Sequence, residues 1–178
     1  LKSNKIGDLI NVQMINGSWL PSWRSNRNYK KTVSALKSLG GGILLEQSHD
    51  INLASDLFGE LSIKNAICKN SKTLDLDVED SANIGLLNSS GTPINIHMDF
   101  CSKPVIRELL IRGSNGSIKW DIKEGDLILS KDFDKPVIKT FSNNPDTRLL
   151  IQFKHFLDVC AGKSKPLVTV DNALKTLK

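Results

Sequence analysis

The chain has 178 residues, with 24 Lys and Arg against 19 Asp and Glu, a net charge of +5 and 39% hydrophobic residues. That apolar share and a mean hydropathy of −0.19 exclude a disordered tail, and no apolar run approaches the roughly 20 residues that span a bilayer. The basic residues are scattered and not interleaved with aromatics, which argues against a nucleic-acid partner.

The opening residues Leu1–Ile10 lack a basic region followed by an apolar one, so they do not read as a secretory signal. The chain starts without Met, and a piece of a longer protein is expected. Cys68, Cys101 and Cys160 are odd in number and far apart. They suggest neither a zinc site nor a disulfide framework, and reduced thiols in a cytoplasmic protein are expected. No repeat or linker divides the sequence, so residues 1–178 read as a single α+β domain.

In chain order, Ile6–Trp19 alternates as a strand, with Asn16-Gly17 as a candidate turn or bulge. Leu20–Asn28 is a loop rich in Pro, Ser and Asn. Tyr29–Leu39 reads as a short helix stopped by Gly40. At 100° steps Ile43, Leu44, Ile51, Ala54 and Phe58 share one face of a helix over Ile43–Phe58, and His49, Asn52 and Asp56 share the other. Gly59 is a natural stop. From Leu61 to Ser142 the texture changes to short, β-branched, alternating segments: LSIKNAICK, SANIGLL, PINIHMDF, VIRELLIRG, GSIKWDI, DLILSK and PVIKTF. Turns such as SSGT, GSNG and KEGD separate them. A helix then runs from Asn144-Pro145-Asp146 to about Ala161, with Leu149, Leu150, Phe153, Phe156 and Leu157 as its apolar stripe. A last helix covers Thr169–Lys178, capped by Thr169 or Asp171.

This order predicts an α+β fold: a predominantly antiparallel open sheet with helices packed on one face. PINIHMDF and LLIRGSNGSIKW place Ile, Met, Phe and Trp on alternating sides, so part of the open face is expected to be apolar. Such a face is a route to dimers.

The chemistry gathers around Gly40–Glu60. The Gly40–Gly42 triplet lacks the GxGxxG spacing and follows a helix, so it is no nucleotide cradle; a bend between helices is the plain alternative. His49 has Glu46 one turn earlier, Asp50 beside it, and Asn52 and Asp56 on its side. A carboxylate can orient an imidazole for proton transfer. Glu46 and His49 also have the i,i+3 spacing of metal ligands, but no second His or Cys and no HExxH accompany them, so no metal is expected. Trp23, Arg24, Arg27 and Tyr29 place cations and flat rings before the triplet, as a substrate contact or with Trp23 plugging the edge of the core. His97 and His155 have no acidic cluster nearby and read as structural.

LPSWRSNRNYKKTVSALKSLGGGILLEQSHDINLASDLFGE resembles the start of the C-terminal domain of the Gfo/Idh/MocA oxidoreductases. It is closest to the branch acting on nucleotide-linked or amino sugars. The matches are Leu20-Pro21-Ser22-Trp23, Tyr29-Lys30, Gly40–Gly42, Ser48-His49-Asp50 and Phe58-Gly59-Glu60. Downstream, Arg107, Gly113, Gly116, Trp120 and Asp121 follow the family's R-x-x-x-I-x-G-x-x-G-x-I-x-W-D passage. Asn52 stands where the family often has Asp, and Asp50 where the sugar branch favours Glu.

The resemblance implies a substrate-binding and oligomerisation domain of an NAD- or NADP-dependent oxidoreductase acting on a sugar, sugar-acid or nucleotide-sugar hydroxyl. The cofactor would be held mainly by an N-terminal Rossmann domain absent from this sequence, and the domain alone would be inactive. His49 would be catalytic. Trp23, Arg24, Tyr29, Lys30, Glu46 and Asn52 would contact substrate. The open sheet would build a homodimer or tetramer. The alternative is a non-catalytic assembly module on the same fold.

Overall fold

The computed structural model describes residues 4–132, 134–142 and 144–177, without the side chains of 175–177. Leu1–Ser3, Phe133, Asn143 and Lys178, the last residue of the expected C-terminal helix, lie outside the described residues. Each segment read as a strand is one: β1 (Leu9–Gly17), β2 (Leu61–Lys69), β3 (Ser81–Asn88), β4 (Pro93–Asp99), β5 (Ile106–Gly113), β6 (Gly116–Asp121), β7 (Asp126–Ser130) and β8 (Val137–Thr140). They form one sheet in the order β2-β3-β4-β1-β5-β6-β7-β8.

The first strand is therefore inserted into the meander. β1 runs parallel to β4, with Val12 opposite Ile94 and Met14 opposite Ile96, and antiparallel to β5. The expected turn at Asn16-Gly17 is absent. Both residues stay in the ladder, opposite Arg107 and Ile106 of β5. Pairing on both sides satisfies their backbone groups, which overrides the local turn preference of Asn-Gly.

One face of the sheet carries the core. Val12, Met14, Ala82, Ile84, Leu86, Ile94, Ile96, Met98, Leu109 and Ile111 are buried there, together with Leu20, Ala35, Ile43, Ala54 and Phe58 from the segments that cover them. Their spacing of two along each strand is the alternation visible in the sequence.

The segment Tyr29–Leu39 is not an α-helix. It is three 3-10 turns, Tyr29–Lys31, Val33–Ala35 and Lys37–Leu39, separated by extended Thr32 and Leu36. Long-range partners hold this path: Lys37 N–H donates to Asp77 Oδ1 at 3.0 Å, and the N–H groups of Gly41 and Gly42 donate to Leu36 and Ser34 carbonyls. The glycines are needed for that approach. A Cβ on Gly41 would lie 2.4 Å from the Val33 carbonyl oxygen, and Gly42 has φ +115° with its Cβ position 2.3 Å from Glu79 Oε1.

The expected helix over Ile43–Phe58 is two: α1 (Ile43–Glu46) and α2 (Ser48–Phe58), broken at Gln47 with φ −109° and ψ 19°. Ile43, Ala54 and Phe58 are buried and Leu44 and Ile51 half-buried, as their periodicity required.

After β8 come α3 (Pro145–Cys160), capped by Asn144 accepting from Asp146 N–H, and α4 (Val170–Leu177), which lies alongside α2. At the start of α4, Thr169 Oγ1 accepts from Asn172 N–H, and Asn172 Oδ1 accepts from Thr169 N–H. The apolar stripe of α3 does not enter the core: Leu149, Leu150, Phe153, Phe156 and Leu157 are each at least half exposed.

The open face is also more polar than expected. Ile94, Ile96, Met98 and Phe100 are buried on the helix side, and Ile118 and Trp120, paired with Ile111 and Leu109, lie on that same side. The centre of the open face is a shallow hollow lined by Gln13, Asn65, Asn83, Asn95 and His97 with Ile15 and Ile67. His97 does have an acidic neighbour: its Nε2 lies 3.0 Å from Asp99 Oδ2 and its Nδ1 2.9 Å from Asn83 Oδ1. Asp99 is two residues away on the same strand face, a spacing of two that a search along helical offsets passes over.

Candidate functional site

His49 is the second residue of α2, with its side chain 54% exposed, whereas the adjacent Asp50 side chain is only 4% exposed. A buried carboxylate must be compensated, and the sheet below supplies the partners. Asp50 Oδ2 accepts from Asn16 Nδ2 at 2.5 Å, and Asp50 Oδ1 accepts from Arg107 Nη2 at 3.0 Å. Asn16 and Arg107 are opposed residues of β1 and β5, so their side chains leave the sheet together. The second Asn16 Nδ2 hydrogen goes to Gln47 Oε1 at 2.7 Å. His49 Nε2 stands 3.9 Å from Asp50 Oδ1, beyond hydrogen-bond length. Arg107 and His49 are thus both near the same carboxylate oxygen, Arg107 in hydrogen-bond contact and His49 just beyond it.

Of the residues singled out in the sequence, His49 and Asp50 are brought together. Among the described residues, no hydrogen bond or ion pair joins Glu46 to His49. Asn52 Nδ2 donates to Asp56 Oδ2 at 3.1 Å. In the loop, Trp23 Nε1 donates to Ser18 Oγ and its ring meets Phe100 edge-on at 5.5 Å, so Trp23 closes the edge of the core. Tyr29 donates its hydroxyl to the Leu74 carbonyl at 3.1 Å. Arg24 is exposed and rims a small hollow with Trp23 and Tyr29.

Lys30 Nζ pairs with Asp75 Oδ2 at 2.7 Å. Their mutual hydrogen bond holds Lys30 above, and Asp75 below, its ordinary value. The Asp75 contribution is present above the unfolded carboxylate range and lost as pH falls through the depressed folded value. The Lys30 contribution is present below the unfolded amine range and lost as pH rises through the raised folded value. The pair thus acts across neutral pH. Both groups are solvated, so Lys30→Met is expected to leave the melting temperature at pH 7 almost unchanged; calorimetry checks this, and a large fall would show a structural role for the pair.

Asn16, Gln47 and Arg107 belong to the site although the sequence did not mark them as site residues: Arg107 stood out only within the family passage and Asn16 only as part of a candidate turn. The available signal was the inward alternation Val12, Met14, Asn16, which puts a polar side chain at a core position.

The triplet Gly40–Gly42 offers no dinucleotide cradle. Gly41 packs against the Val33 and Ser34 carbonyls and Gly42 against the Glu79 side chain, and the Glu79 carboxylate accepts from Leu44 N–H at the start of α1, where an anionic phosphate would be repelled. These residues do not fit a nicotinamide dinucleotide. Burial raises the Cys101 thiol above its usual value, which disfavours a thiolate nucleophile there. Among the described residues no group of three or more His, Cys, Asp or Glu side chains could hold a metal ion, and no helix is long and apolar enough to cross a membrane.

The open, mostly antiparallel sheet with one helix-covered face, carrying a helix-borne histidine above paired strands, defines an α+β domain. Residues 1–119 match the model of the GFO/IDH/MocA C-terminal domain, and the chain belongs to that family. Solved structures of the same fold include levoglucosan dehydrogenase in complex with NADH, at 18% identity and a TM-score of 0.76 over 99% of this chain and 56% of that one. KijD10, a 3-ketoreductase from Actinomadura kijaniata solved with NADP and TDP-benzene, aligns at 14% identity and a TM-score of 0.77 over 98% and 53%. An inositol dehydrogenase homolog from Azotobacter vinelandii with NAD+ aligns at 14% identity and 0.64 over 78% and 38%. The chain spans about half the length of the first of these structures. No functionally curated protein matches the sequence.

Proposed function

We propose that this chain is the substrate-binding and oligomerisation domain of a cytoplasmic NAD- or NADP-dependent oxidoreductase acting on a sugar-type hydroxyl, with the cofactor held by the other half of the enzyme. The observation that carries the reading is the exposed imidazole of His49, 3.9 Å from a buried carboxylate in a domain of this family. An imidazole in that setting can take a hydroxyl proton near neutral pH or hydrogen-bond the hydroxyl. Arg24 and Glu46 make no side-chain hydrogen bond or ion pair among the described residues, and their charged heads serve as substrate contacts. Asn52 lies near His49 on α2 and is assigned as a further polar contact to the substrate. The polar tips of Trp23, Tyr29 and Lys30 are already engaged, so they shape the loop wall against which substrate rests.

The test is His49→Ala in the full-length enzyme. Turnover is expected to fall about 10²–10⁴-fold, the range for a positioned acid–base group, with an unchanged melting temperature. Wild-type turnover in the variant would remove the role.

Oligomerisation is assigned to the open sheet face. It is supported by exposed Ile67 and Ile138 on β2 and β8, the kind of apolar surface that a partner covers. Sedimentation of the chain at high concentration is expected to show a dimer or larger species, and a strictly monomeric species would refute it.

A further inference from the structure

We infer that Arg107 is a positioning residue, which with Asn16 clamps Asp50 and so fixes where α2 presents His49. The inference rests on the reading of His49 given above.

α2 begins without a side-chain cap of its own, and its first turn would fray if left to local forces alone. Two side chains from the sheet, making three hydrogen bonds, tie this turn down instead. Asn16 Nδ2 holds Gln47 on one side of His49 and Asp50 on the other. Arg107 Nη2 holds the remaining Asp50 oxygen. His49 is bracketed by pinned neighbours while its own ring is free of hydrogen bonds to them. Both pins come from interior strands paired on each side, β1 between β4 and β5 and β5 between β1 and β6.

The charge matters as well as the geometry. Asp50 is deeply buried, and Asn16 supplies a dipole but no positive charge. The Arg107 guanidinium is the cation in direct contact with the carboxylate. Without it the buried carboxylate is left with an uncompensated charge, and relief of that charge shifts the first turn of α2. Arg107 also leaves its Nε buried with no hydrogen-bond partner among the described residues. The side chain is therefore held in place for its contact with Asp50 and not by full satisfaction of its donors.

The test needs no substrate. The sequence has three histidines, so proton–carbon spectra of the imidazole Cε1 groups of the 178-residue chain give a small set of signals, with His49→Gln identifying one. Arg107→Met is expected to move the His49 signal by more than its linewidth while those of His97 and His155 stay. Arg107→Lys, which keeps the charge with a different donor geometry, is expected to move it less. An unmoved His49 signal in both variants, or equal movement of all three histidines, would overturn the inference. Should Arg107→Met fail to fold, Arg107→Lys decides alone: a selective His49 shift supports the clamp and an unmoved signal rejects it. A full-length His49→Ala enzyme with wild-type turnover would sink the catalytic reading and leave this measurement standing, so the two failures are distinguishable.

Discussion

Truncation of Phe100 to alanine is expected to cost about 3–5 kcal/mol of stability, the usual range for deleting a fully buried aromatic ring. Phe100 is completely buried and follows β4 directly, where the chain crosses the end of β1 to reach β5. Its backbone joins three segments: its N–H donates to the Asp80 carbonyl, and its carbonyl accepts from Leu20 N–H at 3.0 Å. Its ring takes the edge of Trp23 at an interplanar angle of 85°. The cavity left by alanine cannot collapse, because the parallel β1–β4 pair is fixed by hydrogen bonds on both sides. For a chain of this size each kcal/mol moves the melting temperature by roughly 2–4 °C, so a fall of about 10 °C is expected. Urea unfolding of the single variants and of the Phe100→Ala, Trp23→Ala pair should show a coupling of about 0.5–1.5 kcal/mol for the ring contact. Additive losses would mean that Trp23 is not seated against Phe100.

That contact illustrates what was legible in the sequence and what was not. The seven strands from Leu61 to Ser142 were readable because each is short, alternating and bounded by turn residues, so local information sufficed. The insertion of β1 between β4 and β5 was not. It depends on pairing across some eighty residues, and strand alternation says which face a side chain takes but not which neighbour it finds. The turn expected at Asn16-Gly17 failed for the same reason. The 3-10 path of Tyr29–Leu39 was hidden because Asp77, far along the chain, captures Lys37 N–H. The stripe of α3 was readable as a pattern, but its exposure depends on what lies beside it.

At the site, His49 and Asp50 were visible as neighbours, and Arg107 was visible within a family passage. Their meeting was not, since Arg107 reaches Asp50 from 57 positions away. The sequence also drew attention to position 52, where the family often carries an acid. The buried carboxylate beside His49 is at position 50 instead, and it faces the sheet.

This difference yields the second large effect. Asp50→Ala is expected to cost about 2–3 kcal/mol and Asn52→Ala less, because Asn52 carries no charge and its amide bonds the exposed Asp56, whereas the Asp50 carboxylate is buried. Removing one member of a buried ion pair typically costs about 3–5 kcal/mol, since the other charge is left uncompensated. Here the value is reduced because the Arg107 side chain is 33% exposed and water can reach part of it. Asn16 also loses an acceptor, although Gln47 Oε1 still engages it, which limits the second penalty. Replacing Asp50 by asparagine separates the terms. It keeps an acceptor and the shape but removes the charge, so it should recover part of the loss and leave the remainder as the electrostatic share. Chemical denaturation of the three variants measures all of this directly. A harmless Asp50→Ala, or one no more costly than Asn52→Ala, would mean that the clamp beneath His49 contributes nothing, and that α2 is held by its apolar face at Ala54 and Phe58.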